Sequence, residues 1–365
     1  MNRMNRETEP AARNGLRMGA CLTLAIAMAL AAPQRAWADE ESPALAQYRE
    51  KVDKSVDKAL AYLAKQQEKD GSFRSGMPQN TGITSLAVMA FLAKGYTPGN
   101  GPYGDVINKG IDFVLASEKN GMLLGRSESH GPMYSHCIAT LMLSEVSGMV
   151  DPERQKKVDK ALGRALEVIL AAQKVRKPAQ MQGGWRYQNS SNDADISCTG
   201  WALMSLRSAR NNGADAPKEA IKEAVKFVMN CRHSSGGFCY QPGGDPGMAR
   251  TGTALLCLEL SGMHGDKVTT QAGDWVLAHL PNRFGGVEHF YYGMYYCAQG
   301  MFQLGGKYWE NFAKFMYDMM LKYQKEDGSW PTGGGNEDRA GPCYATAMGV
   351  LAIGVAYRQL PIYQR

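Results

Sequence analysis

Two kinds of apolar segment alternate along this chain from about residue 42 onward. One kind carries a single apolar stripe, as at Val52, Val56, Leu60 and Leu63 or at Ile221, Val225 and Val228, with Lys and Glu between. Apolar side chains at i, i+4 and i+7 share one helix face, so these segments predict α-helices wet on one side. The other kind is apolar nearly all round, over 85–93, 137–146, 198–206, 253–260, 294–304 and 344–356. A helix without a polar face has to be surrounded by protein. Gly95, Gly148, Gly262 and Gly305 stand just past four of these, a usual C-terminal stop, and Pro152 and Pro217 stand near the starts of two wet helices, where no backbone N–H is needed.

Between each wet segment and the following dry one lies a glycine turn with a bulky residue: Gly71-Ser72-Phe73, Gly121-Met122-Leu123, Gly183-Gly184-Trp185, Gly236-Gly237-Phe238, Gly285-Gly286-Val287 and Gly328-Ser329-Trp330, 43 to 62 residues apart. Self-similarity at that period marks a two-helix unit that buries its apolar face only against its neighbours. Six wet helices and six dry ones predict an all-α fold, a single (α/α)6 toroid of six two-helix repeats over residues 39–365 with the dry helices inside. The glycine spacing is far too long for hairpins, so no strands are expected.

Residues 1–38 stand apart. Arg13 and Arg17 precede an apolar run over 18–32, and Ala36-Trp37-Ala38 offers a small-x-small cleavage site before Asp39. This is the pattern of a cleaved signal peptide, and the run is short for a membrane span. The expectation is an exported protein, periplasmic or extracellular, with no integral span in the mature chain. The net charge of +6 over 365 residues then loses half its meaning, because five Arg against Glu7 and Glu9 place half of it in the leader. A mild, scattered positive charge predicts no nucleic-acid partner.

The segments Gln66-Gln67-Glu68-Lys69-Asp70-Gly71-Ser72-Phe73 and Gln324-Lys325-Glu326-Asp327-Gly328-Ser329-Trp330, with a degraded copy from Gln173 to Trp185, resemble the Gln-to-Trp repeat of squalene and other terpene cyclases. The chain thus looks like a member of the terpene cyclase and protein prenyltransferase superfamily, and the resemblance spans about residues 42–363. It implies an α/α toroid in which Gln66, Gln173 and Gln324 bond helix-end carbonyls under Trp185 or Trp330. Fold does not by itself fix activity.

In such a ring every inner helix starts just after a turn loop, so all six N-termini, with their positive dipole ends, face one mouth of a central cavity. There Asp193-Ala194-Asp195-Ile196 resembles the Asp-x-Asp-Asp motif with which class II terpene cyclases protonate an alkene or epoxide. The resemblance implies Asp195 as proton donor and Asp193 as its support, while Ile196 replaces the third aspartate. A competing reading has Asp193 or Asp195 capping the helix that begins at Ile196. Tyr291, Tyr292, Tyr295 and Tyr296, with Trp201, Tyr134 and Tyr344, could line an aromatic cavity for an isoprenoid chain or form inner-ring core. His136 and Arg250 enter at the same mouth and complete the candidate ligand-binding set. The expected partner is a hydrophobic, isoprenoid-like small molecule; a protein partner stays open.

The zinc ligands of protein prenyltransferases align with Tyr292, Met294 and Pro342, none of which binds zinc, and no cofactor or metal is expected. Cys137, Cys198 and Cys343 sit near the starts of three dry helices, but no close Cys or His pair accompanies them. The Gly-Cys-Gly-Glu-Gln sequence of thioester toroids is missing. Cys231 and Cys239 flank the fourth turn at a spacing that a disulfide could bridge. Two further functional classes stay open: a non-catalytic scaffold for a protein or glycan, and a glycan-active toroid using Glu288, Glu337, Asp338 or Asp245 as paired carboxylates, with Glu337 and Asp338 otherwise expected in a solvated loop.

Overall fold

A computed structural model describes residues 43–127 and 131–363; the signal peptide expected at 1–38 lies outside them. After a short α1 (Pro43–Ala46), amphipathic helices α2 (Arg49–Lys65), α4 (Gly104–Ala116), α6 (Pro152–Lys174), α8 (Lys218–Asn230), α10 (Lys267–Ala278) and α12 (Gly306–Tyr323) alternate with dry helices. The dry set is α3 (Thr81–Ala93), α5 (Pro132–Val146), α7 (Ile196–Asn211), α9 (Met248–Leu260), α11 (Phe290–Leu304) and α14 (Pro342–Ile353); a short α13 (Asn336–Ala340) precedes the last. The dry helices pack in sequence, α3 on α5, α5 on α7, α7 on α9, α9 on α11 and α11 on α14, and α14 returns to α3. The ring therefore closes, as an α/α toroid with the dry helices inside; every residue of α3 is buried. These helices begin a few residues before the apolar runs, through first turns of mixed polarity.

The turns weld each repeat to the next. Gly71, Gly183 and Gly328 hold φ of +91°, +86° and +91°, and a Cβ there would fall 2.1, 2.2 and 2.3 Å from the carbonyl oxygens of Lys109, Glu223 and Lys58. Only glycine combines that left-handed backbone with so close an approach. Each carbonyl belongs to the outer helix of the following repeat, and for Gly328 that is α2, the first. Gln173 Nε2 donates to Gly183 O (2.9 Å) and Ala220 O (2.8 Å), and Gln324 Nε2 to Gly328 O and Ser55 O (both 2.9 Å). In the first repeat the side chain in this position is Gln67, bonded to Gly71 O and Val106 O, not Gln66. Gln66 forms the C-cap of α2, and its carbonyl accepts from the Arg74 amide. Trp185 and Trp330 reach their own outer helices, Nε1 donating to Ile169 O and Met320 O.

A second device recurs on the inner side. The amide of the bulky turn residue donates to a side chain on the following inner helix: Phe73 to Thr84, Trp185 to Thr199, Phe238 to Thr251 and Trp330 to Thr346. In the second repeat the acceptor is a ring nitrogen, Leu123 N donating to His136 Nδ1 at 3.1 Å. That turn also departs from the expected absence of strands. Asn120 and Gly121 both take positive φ and join β1 (Glu118–Lys119) to β2 (Met122–Leu123), a minimal hairpin whose Asn-Gly pair suits a two-residue connection.

The expected Cys231–Cys239 bridge is absent: all seven described cysteines are free and buried. Cys239 Sγ turns to Gly244 O at 2.8 Å, while Cys231 closes α8 in the core. At the end of the ring opposite the mouth, the final turn Pro361–Tyr363 packs against α7. There Ile362 N donates to Glu145, whose other oxygen takes the Ser208 hydroxyl, and Tyr295 and Tyr363 pair through their hydroxyls. Among the described residues no helix is long and apolar enough to cross a membrane.

Candidate functional site

The N-terminal ends of the inner helices surround a cavity of about 720 Å³. All six contribute: Ile83 and Leu86 from α3, Tyr134, Ser135 and Ile138 from α5, Ser197 and Trp201 from α7, Met248 and Arg250 from α9, Tyr292 from α11 and Tyr344 from α14. Its volume falls in the range of small-molecule sites, about 300–1,000 Å³. Of the aromatic residues expected here, Tyr134, Trp201, Tyr292 and Tyr344 line the cavity, as does Arg250. Tyr291, Tyr295 and Tyr296 do not; all three are buried in the wall. Tyr291 donates to Pro331 O, and Tyr295 stacks on Trp201 with ring centroids 5.6 Å apart. A helix turns its side chains through 100° per residue, so four tyrosines within six positions cannot share one face.

His136 is likewise absent from the cavity wall. It is fully buried between the second turn and α6, with Nδ1 accepting from Leu123 N and Nε2 3.2 Å from Ala165 O. Burial lowers its pKa to about 4, which keeps the imidazole neutral and fixes Nε2 as the donor. It stands where four other repeats carry threonine.

Asp195 is fully buried and caps α7: Oδ1 accepts from Ser197 N at 2.8 Å and Cys198 N at 2.9 Å. Its Oδ2 lies 3.1 Å from Arg186, which also reaches Asp193 at 3.2 Å. The aspartates therefore do come together, on one guanidinium, but behind the cavity lining rather than in it. Burial pushes the Asp195 pKa up, while the two amides and Arg186 oppose it by favouring the ionised form. Arg186 itself lines the cavity, donates to Tyr240 Oη at 2.6 Å and lies over the rings of Tyr187 and Tyr240, 4.5 and 5.3 Å from their centroids. Tyr187 and Tyr240 join through their hydroxyls.

Arg186, Tyr187 and Tyr240 were not singled out from sequence, yet a signal existed. They stand one or two residues after the bulky turn residues Trp185 and Phe238, as Glu288 and His289 stand after Val287. That stretch carries the chain from the turn to the next inner helix and so crosses the mouth. Of the four carboxylates considered for glycan chemistry, Glu288 and Glu337 line the cavity. Glu288 is exposed and faces Arg250 at 3.4 Å. Asp338 remains exposed and accepts from Thr332, and Arg250 meets Asp245 through that residue's carbonyl. Glu337 overturns its expected place in a solvated loop: it is 3 % exposed, because the loop after Gly335 folds inward as α13. Its Oε1 accepts from the amides of Tyr291 (2.9 Å) and Tyr292 (3.3 Å). Among the described residues no group of three or more His, Cys, Asp or Glu side chains is placed to hold a metal ion.

Solved structures share this architecture at low identity. A type II terpene cyclase from Scytonema, MstE, in complex with geranylgeranyl dihydroxybenzoate, aligns with TM-score 0.55 at 14% identity, covering 87% of this chain and 100% of that one. A GH76 α-mannanase from Bacteroides thetaiotaomicron gives 0.56 at 11%, covering 84% and 96%. A reducing-end xylose-releasing exo-oligoxylanase gives 0.55 at 12%, covering 87% and 95%. Such likeness carries the fold alone. No curated protein sequence matches the chain. The prenyltransferase alpha-alpha toroid pattern, by contrast, matches residues 42–167 and 175–358, through all six repeats. Closed ring, welded turns and sequence pattern agree, and the chain belongs to the prenyltransferase alpha-alpha toroid domain family.

Proposed function

We propose that this protein is an exported binding protein whose central cavity takes an amphipathic, isoprenoid-like small molecule. The observation that carries this reading is the lining: the aromatic residues Tyr134, Trp201, Tyr292 and Tyr344 together with Ile83, Leu86, Ile138 and Met248, beneath a polar rim of Arg186, Arg250, Glu288 and His289. An apolar chain would displace poorly held water from such walls, gaining about 25 cal/mol for each Å² of apolar surface buried, while a polar head stays at the rim. Asp195 serves here as helix cap and as anchor for Arg186, with Asp193 sharing that guanidinium. Export rests on the basic, apolar and small-x-small leader at 1–38.

Native mass spectrometry of the protein purified gently from its own envelope tests the reading. A retained prenyl lipid of defined mass is the expected result. A retained oligosaccharide, or binding of mannan or xylan fragments with none of prenyl alcohols, would overturn it in favour of a glycan-active toroid.

A further inference from the structure

Among the described residues Arg186 and Arg250 both line the cavity, and they differ in the donors they have left. Arg250 is engaged at both ends of its fork, Nη1 donating to Asp245 O at 3.1 Å and Nη2 to Glu288 Oε2 at 3.4 Å. Arg186 is engaged on one side only. Its Nη1 donates to Asp195 Oδ2 at 3.1 Å and to Tyr240 Oη at 2.6 Å, and its Nε lies 3.2 Å from Asp193 Oδ2. No described residue accepts from Nη2, yet Nη2 is not one of the buried atoms left without a partner, so its two N–H groups keep accessible surface. The side chain is 23 % exposed and lines the cavity. The rings of Tyr187 and Tyr240 flank the guanidinium and, with the two carboxylates behind it, fix its plane.

We propose that Arg186 selects the ligand's head: Nη2 donates to an uncharged oxygen, a hydroxyl or carbonyl, at the end of the isoprenoid chain, and a diphosphate head is disfavoured. This rests on the cavity reading above and deepens it. The charge balance around the guanidinium decides between the two heads. Asp193 and Asp195 both lie against Arg186, and Glu288 faces Arg250, so neither arginine has an uncompensated positive charge to offer. Lys177 turns its ammonium to the carbonyls of Ala172, Gln173 and Val175 and is itself buried. A diphosphate brought here would give up its hydration and meet Glu288 in the lining, with no free cation to replace the water. An uncharged oxygen needs only a donor, and one carried by an ionised group makes a stronger bond than a neutral donor does. Asp193 and Asp195 act through Arg186, as positioning residues that also cancel its charge.

Equilibrium binding of geranylgeraniol, of geranylgeranyl diphosphate and of phytane, a saturated hydrocarbon of the same carbon count, in buffer free of divalent metal tests the proposal. The wild type should bind the alcohol about 10- to 100-fold more tightly than phytane, the range for a hydrogen bond from a charged donor, and more tightly than the diphosphate. Arg186→Met should bring alcohol and phytane close to parity while phytane affinity is kept. Asp193→Asn leaves the Asp195 cap in place, so it stays informative even if the methionine variant does not fold. It lowers the negative charge beside the guanidinium and should move the ratio of diphosphate to alcohol affinity toward the diphosphate by about tenfold, a change of selectivity that a merely structural aspartate would not cause. A wild type that prefers the diphosphate or binds the alcohol no better than phytane, a folded Arg186→Met that keeps the full alcohol preference, or an unchanged ratio in Asp193→Asn would each overturn the assignment of Arg186, while phytane binding leaves the cavity reading standing. Failure of all three ligands to bind removes the cavity reading, and this proposal with it.

Discussion

Replacing Asp195 separates its two possible roles, helix cap and proton donor. In Asp195→Ala, α7 loses the oxygen that accepts from Ser197 N at 2.8 Å and Cys198 N at 2.9 Å. Loss of such a cap costs about 1 kcal/mol. Arg186 also loses a partner at 3.1 Å, but its side chain is 23 % exposed and it keeps Asp193 and Tyr240. That limits the second cost to about 1–2 kcal/mol, below the roughly 3–5 expected when a buried charge is stranded outright. The total is about 2–3 kcal/mol. Asp195→Asn keeps an acceptor for the cap and gives up only the charge, so it should cost about 1–2 kcal/mol. With a urea m-value of about 3 kcal/mol/M, suited to a chain of this size, the alanine midpoint falls by up to about 1 M and the asparagine midpoint by about half that. Urea unfolding followed by far-ultraviolet circular dichroism measures both. An alanine variant whose midpoint matches the wild type would refute the capping argument. An asparagine variant of near-native stability that loses a measurable isoprenoid turnover would restore Asp195 as an acid.

Two further outcomes follow from the packing. Gly328→Ala puts a Cβ 2.3 Å from Lys58 O on a left-handed backbone, at the contact that joins the last repeat to the first. Backbone strain alone costs about 1–2 kcal/mol there and the clash adds to it, so thermal unfolding should move down by several degrees; an unchanged midpoint would mean that the closure contact contributes nothing. Burial raises the pKa of Glu145 to about 7 from 4.5. The native state then holds more protons than the unfolded chain between those values, so stability is full below pH 4.5 and declines as pH rises through 7, by up to about 3 kcal/mol. In Glu145→Gln that slope should flatten when stability is followed from pH 4.5 to 8, and persistence of the full slope would show that Glu145 is not its source.

The helical ring was legible in sequence because its determinants are local. A side chain's helix face follows from its spacing, and a turn needing left-handed backbone announces itself as glycine, so the alternation of wet and dry segments and the six turns specify paired helices and their number. The relationship between repeats was only partly legible. Gln66 and Gln67 are adjacent and identical in type, and only the path of α2 decides which reaches Val106 O.

The site depended on three dimensions throughout. His136 looked like a mouth residue by position, yet it takes the place that threonine fills in other repeats, a substitution visible only once the amide of Leu123 is seen to need an acceptor. Glu337 looked solvated because Gly333-Gly334-Gly335 reads as open loop, whereas that loop turns inward and buries the carboxyl against α11. By itself the sequence determined an all-helical chain of six two-helix repeats, since hydrophobic period and turn chemistry act over a few residues. Only the tertiary structure decided which aromatic residues face the cavity, that Asp195 caps a helix, and that Glu337 stands in the wall, because exposure and hydrogen-bond partners are set by segments far apart in the chain.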